Sequence, residues 1–254
     1  MQKDEKTVSI IIKTFNSDKT ITDVLESVRD FGEIIAIDGH SSDDTIDILK
    51  EYRTKIIYAD MKDLKSAYTS ALEEAKGNWV LVLEDDEIVP QKLIFELENY
   101  ISNPKKNKFC LLLDKKLFYL KREIKAGRIK GELKFFKKGY VEFKNNNLFE
   151  LKLKEGKTHH LKGLKGNVCI LKYLQSDIKK ALENSLDVNR IMLKNSEKLS
   201  HSVIIKPILT FIYYYFLRFA VFEGKAGFIF SKQKQIESFI YEVMKFEKYK
   251  KGKE

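Results

Sequence analysis

The residues best suited to chemistry are Glu84-Asp85-Asp86-Glu87, which end the apolar run Trp79-Val-Leu-Val-Leu83 and stand shortly before Pro90. The run has the length of a strand, and the proline suits the start of a helix. Four adjacent carboxylates repel one another unless water or a cation neutralises them, and the carboxyl edge of a parallel sheet is where such a loop meets a ligand. The chemistry that fits is a divalent cation on a nucleoside diphosphate: carboxylate oxygens hold the ion, and the ion holds the phosphates. The plain structural alternative is a solvated acidic loop that caps the next helix.

The elements that must position this loop can be read from hydrophobic periodicity. Val8-Ser-Ile-Ile-Ile-Lys-Thr14 predicts a strand buried on both faces, stopped by the turn residues Phe15-Asn16-Ser17-Asp18. Ile21, Val24, Leu25 and Val28 then recur at helical spacing. A second strand, Glu33-Ile-Ile-Ala-Ile37, leads into Asp38-Gly39-His40-Ser41-Ser42-Asp43-Asp44-Thr45, where Asp43 or Asp44 can cap the short helix through Ile46 and Leu49. A third, Lys55-Ile-Ile-Tyr-Ala59, precedes a helix from Leu64 to Lys76, closed by Gly77. This alternation predicts an α/β fold with a mostly parallel sheet flanked by helices. Three strand ends then bring Thr14-Phe-Asn16, Asp38-Gly39 and Glu84-Asp-Asp86 to one edge. Neither a GxGxxG after the first strand nor a GxxxxGK[ST] occurs, which removes the commonest nucleotide folds.

Composition sets the outer bounds. The 254 residues, 43% of them hydrophobic, suffice for one or two domains with a sizeable core. A net charge of +10, with most of the lysine excess in the second half, suits an anionic partner such as nucleotide phosphate or an anionic membrane surface. No nucleic-acid motif is present, so a nucleic-acid partner is not expected. Cys110 and Cys169 sit inside apolar runs without CxxC spacing and predict no metal or redox chemistry. The opening Met-Gln-Lys-Asp-Glu-Lys has no apolar h-region, so no signal peptide and a cytoplasmic location are expected.

The motifs Ser9-Ile-Ile-Ile-Lys-Thr-Phe-Asn16, Asp38-Gly-His-Ser-Ser-Asp-Asp-Thr45, Ala75-Lys-Gly77-Asn-Trp and Glu84-Asp-Asp-Glu87 together resemble the N-terminal half of family 2 glycosyltransferases of the GT-A fold. The small lipopolysaccharide-core β-glucosyltransferases are especially similar. The resemblance implies an inverting sugar transferase with a nucleotide-sugar donor, UDP-linked by preference, and a divalent cation, Mn²⁺ or Mg²⁺. It implies that Asp38 binds the base or ribose and that Asp86, with Glu84, holds the metal. Thr14, Asn16, Gly39, Lys65 and Asp85 complete the expected nucleotide-binding set. The chain departs from the family pattern at Glu84, where the relatives' DxD begins with aspartate, and at Tyr68-Thr69, where they carry a basic residue and asparagine.

From Phe109 the pattern changes to short strands: Phe109–Leu113, Lys116–Leu120, Glu132–Phe136, Tyr140–Phe143 and Leu148–Leu153. Lys134-Phe-Phe-Lys-Lys-Gly139 is similar to an Arg-Leu-Phe-Arg-Arg-Gly element of the relatives. Where they show His-Glu this chain has Phe149-Glu150, and near Lys172 they carry a histidine. Glu150 is the general base that this likeness implies, with a plain surface glutamate as the alternative. His159-His160 lies in a Lys/Gly-rich stretch without a second pair at metal-ligand spacing, and a loop is expected there.

A stripe from Ile178 to Ser196 predicts an amphipathic helix. Val203 to Phe222 is the most apolar stretch, interrupted by Lys206 and Arg218 and too short between them to span a bilayer. It is expected to lie on a membrane or to pack on protein, including a second copy of the chain. Three regions follow: 1–114 for the nucleotide sugar, a β-rich acceptor side over 115–173, and a helical extension over 174–254. The expected acceptor is a cell-envelope or lipid-linked glycan. A catalytically degenerate sugar-nucleotide binder and a sugar-1-phosphate nucleotidyltransferase are the alternative functions.

Overall fold

The computed structural model describes residues 7–60, 63–104, 108–119, 122–143, 151–153, 158–160, 169–173 and 203–251. The chain divides into two compact units rather than three regions: residues 1–115 with 129–172, and residues 116–128 with 173–254. The hairpin tip at 116–128 therefore goes with the C-terminal helices, not with the rest of the β-rich stretch.

The first unit is built on four parallel strands in the order β3-β2-β1-β4: β1 (Val8–Thr14), β2 (Glu33–Asp38), β3 (Lys55–Tyr58) and β4 (Trp79–Glu84). Ile10, Ile11 and Ile12 are all fully buried because helices cover both faces of β1. Each such side chain contributes about 1.5–3 kcal/mol relative to exposure. Helix α1 (Ile21–Val28) buries its Ile21, Val24, Leu25 and Val28 stripe, and α2 (Thr45–Glu51) and α3 (Leu64–Glu74) link the next strands. Gly77 passes so close to β1 that a Cβ there would stand 2.5 Å from the Ser9 nitrogen. Its own N–H donates to Ser9 Oγ at 2.8 Å, which fixes where β4 starts.

The two-residue strand β5 (Glu87–Ile88) and α4 (Gln91–Ser102), with Pro90 just before its first turn, follow the acidic loop. The sheet then stops being parallel. Phe109–Leu113 and Lys116–Leu120, expected as two strands, are one continuous β6 (Cys110–Tyr119). Glu132–Phe136 is the end of a 16-residue β7 (Arg122–Lys137) that runs antiparallel to β4, with Phe135 opposite Leu81. Two short strands, β8 (Val141–Phe143) and β9 (Leu151–Leu153), pair separately. Thr158–His160, expected as loop, is β10 and pairs in parallel with β6. Last comes β11 (Cys169–Tyr173), antiparallel to β5 with Lys172 opposite Glu87.

In the second unit Leu117, Ile124, Ala126, Ala220 and Phe230 form a small core. Val203–Phe222, part of the expected helical extension, is broken. Helix α5 (Ile205–Ile212) runs into a π-helical turn at Tyr213–Leu217, Phe219 takes a left-handed φ of 62°, and a 3₁₀ turn at Ala220–Glu223 precedes α6 (Gly224–Lys251). The break is pinned to β7 by polar contacts. Arg218 donates to the Ala126 and Arg128 carbonyls at 3.1 and 3.2 Å, and Glu223 accepts from the Lys125 and Ala126 amides at 2.6 and 3.2 Å. Among the described residues no single helix is long and apolar enough to cross a membrane. The stripe over 178–196 lies outside the described residues.

Candidate active site

Register brings the three strand ends level. Thr14 stands opposite Asp38, and Lys13 opposite Glu84, along the carboxyl edge of the parallel strands. Hydrogen bonds between loops hold them together. Asn16, at a left-handed φ of 49°, donates its N–H to Ser41 Oγ at 2.8 Å and accepts from the Ser42 amide at 2.8 Å. Ser17 donates its hydroxyl to Asp85 and its N–H to Thr45 Oγ1 at 2.6 Å. The Asp18 amide donates to Asp43 at 3.2 Å.

Asp38 is fully buried, and its oxygens are already occupied: Thr14 Oγ1 donates at 2.9 Å, Ser41 Oγ at 2.6 Å and the Ser41 amide at 2.8 Å. Because Asp38 is fully buried under these donors, a base or ribose reaches it only if the surrounding loops move. The Gly39 amide is also spent, on the Thr14 carbonyl at 3.0 Å. Asp43 works as the local cap, accepting from the amide and hydroxyl of Thr45 at 3.1 and 2.5 Å, whereas Asp44, at the N-cap position, makes no side-chain capping bond. Burial pushes the Asp43 carboxyl up, but the hydrogen bonds it accepts from Thr45 and Asp18 outweigh this and leave it below its ordinary value. His40 is exposed and stacks on Tyr58, ring centres 5.6 Å apart. Lys65 is exposed on the first turn of α3.

The acidic loop is handled differently: its charge is met by lysines brought from distant strands. Glu87 is fully buried between Lys115, 2.9 Å from Oε1, and Lys134, 3.0 Å from Oε2, and also accepts from the Glu84 amide at 3.0 Å. Lys172 on β11 bonds to Glu84 Oε2 and lies 3.0 Å from Asp86 Oδ1. The Lys172 ammonium holds the Glu84 carboxyl well below the carboxylate range. Burial raises Asp86 to about 7, against the pull of Lys172 and with the push of Glu84, Asp85 and Glu87. Burial would lower Lys172, but Asp86, Glu84 and Glu87 raise it well above an ordinary lysine. Tyr68 lies buried within the field of Glu84, Glu87 and Asp85, and burial followed by those charges drives its phenol well up.

Glu84 and Asp86 have the hard oxygens a Mn²⁺ or Mg²⁺ ion requires. In the geometry observed, however, the position facing both is taken by the Lys172 ammonium, and among the described residues no group of three His, Cys, Asp or Glu is placed to hold a metal. The two carboxylates thus do not fit a divalent ion while Lys172 stays where it is. Glu150 lies outside the described residues. The expected Thr14, Asn16, Asp38, Gly39, Asp85, Glu84 and Asp86 do gather on one edge. The residues missed by sequence reasoning are Ser17, Tyr68, Lys115 and Lys134, and for Lys134 and Lys172 the only signal was a family element whose charge partner the sequence does not reveal.

A parallel β3-β2-β1-β4 sheet whose carboxyl edge carries an aspartate-glycine loop beside a Glu-Asp-Asp loop, extended by antiparallel strands, defines a GT-A type of sugar transferase fold. Residues 9–154 match the model of the Glycosyl transferase family 2, and the chain belongs to that family. Among its relatives, poly(ribitol-phosphate) beta-N-acetylglucosaminyltransferase TarS of Staphylococcus aureus (strain Mu50) is 29% identical over 105 residues, covering 37% of this chain and 18% of TarS. SPbeta prophage-derived glycosyltransferase SunS of Bacillus subtilis (strain 168) is 34% identical over 91 residues, covering 34% of this chain and 22% of SunS. The matched segment thus spans about a fifth of these relatives. The crystal structure of S. aureus TarS 1–349 in complex with UDP aligns with a TM-score of 0.49 at 16% identity, over 97% of this chain and 92% of the other.

Proposed function

We propose that the protein transfers a sugar from a nucleoside diphosphate donor, UDP-linked by preference, to a glycan or lipid-linked acceptor of the cell envelope, with inversion at the anomeric carbon. The observation that supports this best is the joining of the Asn16, Asp38 and Glu84–Asp86 loops by Ser17–Asp85 and Asn16–Ser42 hydrogen bonds on one sheet edge of a family 2 chain. Such an edge offers amides and hydroxyls to a nucleoside and a charged loop to its diphosphate. On this reading Asp38 acts by holding Ser41 and Thr14 in place, Lys65 lies free to approach a phosphate, and Glu150 is the base that takes the acceptor proton. Glu84 and Asp86 are the pair that would hold Mn²⁺ or Mg²⁺ once Lys172 gives way. The acceptor class is supported by the name of the S. aureus relative, whose acceptor is poly(ribitol-phosphate).

A screen of UDP-, GDP- and dTDP-sugars for hydrolysis and thermal stabilisation tests this reading. Stabilisation by one nucleotide class is the expected result; turnover of a nucleoside triphosphate with a sugar phosphate would favour nucleotidyl transfer instead. Glu150→Gln should then abolish transfer while leaving donor binding intact. We also propose that the second unit docks on an anionic membrane at the cytoplasmic face. Ile204, Leu217, Phe219 and Phe222 are 66–83% exposed, and α6 carries Lys225, Lys232 and Lys234. Co-sedimentation with anionic vesicles at low salt is expected; a dimer without vesicle binding would assign the same face to a second copy.

A further inference from the structure

We propose that Lys172 is the chain's own cation for the donor diphosphate, so that donor binding does not require a divalent metal. The inference rests on the donor reading above and deepens it. The Lys172 ammonium bonds to Glu84 and stands 3.0 Å from Asp86, which is the place between two carboxylates that an ion would fill. It is delivered there by backbone register. Strand β11 lies antiparallel to β5 with Lys172 opposite Glu87, so the sheet sets the base of the side chain beside the acidic loop.

An ammonium has three N–H donors, and Glu84 and Asp86 engage two of them. The third is available to a diphosphate oxygen, a charge-assisted bond of the stronger kind. Lys172 is 22% exposed and Glu84 31%, so the group opens to solvent where a ligand arrives. By contrast Lys134, fully buried against Glu87, has no such opening and serves only to neutralise the network from below. The two carboxylates hold the ammonium in place, and the diphosphate meets a fixed positive charge. A divalent ion seated between the same oxygens would lie against this ammonium and be repelled by it, so metal and lysine compete for one position. In the transfer itself, the bond from the anomeric carbon to the diphosphate oxygen breaks as the acceptor oxygen bonds to that carbon and gives up its proton to the general base of the reading above. The negative charge then left on the diphosphate is met by Lys172.

The test is titration of UDP, GDP and dTDP into the whole protein in EDTA and again with Mn²⁺. For the nucleotide that binds, affinity in EDTA should lie within about threefold of that with metal. Lys172→Met should lower affinity in EDTA by about ten- to a hundredfold, the loss of one charge-assisted bond. Mn²⁺ should restore much of it, because Glu84 and Asp86 are then free, and Lys172→Arg should retain metal-free binding. Binding by the native protein that appears only with Mn²⁺, or a Lys172→Met variant that binds in EDTA as the native chain does, overturns the proposal while leaving the donor reading standing. Binding of no nucleotide in either buffer overturns both. The comparison of the native protein in the two buffers needs no variant to fold.

Discussion

The Asp38–Thr45 loop and the Glu84–Glu87 loop share one sheet edge and are both acidic, but they neutralise their charge by different means. In the first, carboxylates are met by hydroxyls and amides a few residues away or on the adjoining strand: Ser41 and Thr14 for Asp38, Thr45 and the Asp18 amide for Asp43. In the second, Glu84, Asp86 and Glu87 are met by Lys115, Lys134 and Lys172 from three other strands, and only Asp85 by a neutral donor, the Ser17 hydroxyl. Neutral donors fix a shape. Lysines fix a charge balance, and one that is incomplete, since three ammoniums face the four carboxylates Glu84 to Glu87. The first loop is thereby suited to holding a nucleoside in register, and the second to receiving a charged group.

That contrast can be broken most sharply at Glu87. Glu87→Gln keeps the shape but leaves the buried Lys134 and Lys115 without their shared carboxylate, so urea unfolding should show a loss of about 3–5 kcal/mol. A loss below about 1 kcal/mol would mean that Glu132, 3.3 Å from Lys134, carries the network instead. Asp38→Ala should cost less, about 1–3 kcal/mol, because the donors it strands are neutral. It should weaken UDP binding too, through movement of the Ser41 loop; reduced stability with unchanged binding would make Asp38 a turn residue only. Thr45→Val removes the hydroxyl that joins Ser17 to Asp43 and should cost about 1 kcal/mol in the same assay.

The smallest effect sharpens the contrast through pH. Glu33 sits at the opposite end of β2 and accepts from Ser9 Oγ and the Lys76 and Gly77 amides. Burial raises its carboxyl, but these bonds outweigh burial and hold it below the ordinary value of 4.5. A carboxyl lowered in the folded state adds stability that is present above pH 4.5 and lost as pH falls through the folded value. Thermal melts should therefore decline below pH 4.5, and Glu33→Gln should flatten that decline. An unchanged profile would place the acid sensitivity in the lysine-paired loop.

The sequence by itself determined the elements whose signals are local. Continuous apolar runs such as Val8–Thr14 and Trp79–Leu83 mark strands buried on both faces, the Ile21–Val28 stripe marks a helix, and turn residues after each strand mark the edge where ligands bind. The Asp38–Thr45 loop was legible for the same reason: most of its partners lie within a few residues or on the neighbouring strand. Tertiary structure alone decided the antiparallel additions. Nothing local in Cys110–Tyr119 distinguishes one long strand from two, and the polar first half of Arg122–Lys137 reads as loop until it pairs. Tertiary structure also decided the fate of Val203–Phe222, where bonds from Arg218 and Glu223 to the backbone of β7 hold a break that hydropathy does not register. Above all it decided what stands against the acidic loop. Lys172 is 86 residues from Asp86 in sequence, and charge pairing over that distance follows strand order and register, which no periodicity within either segment records.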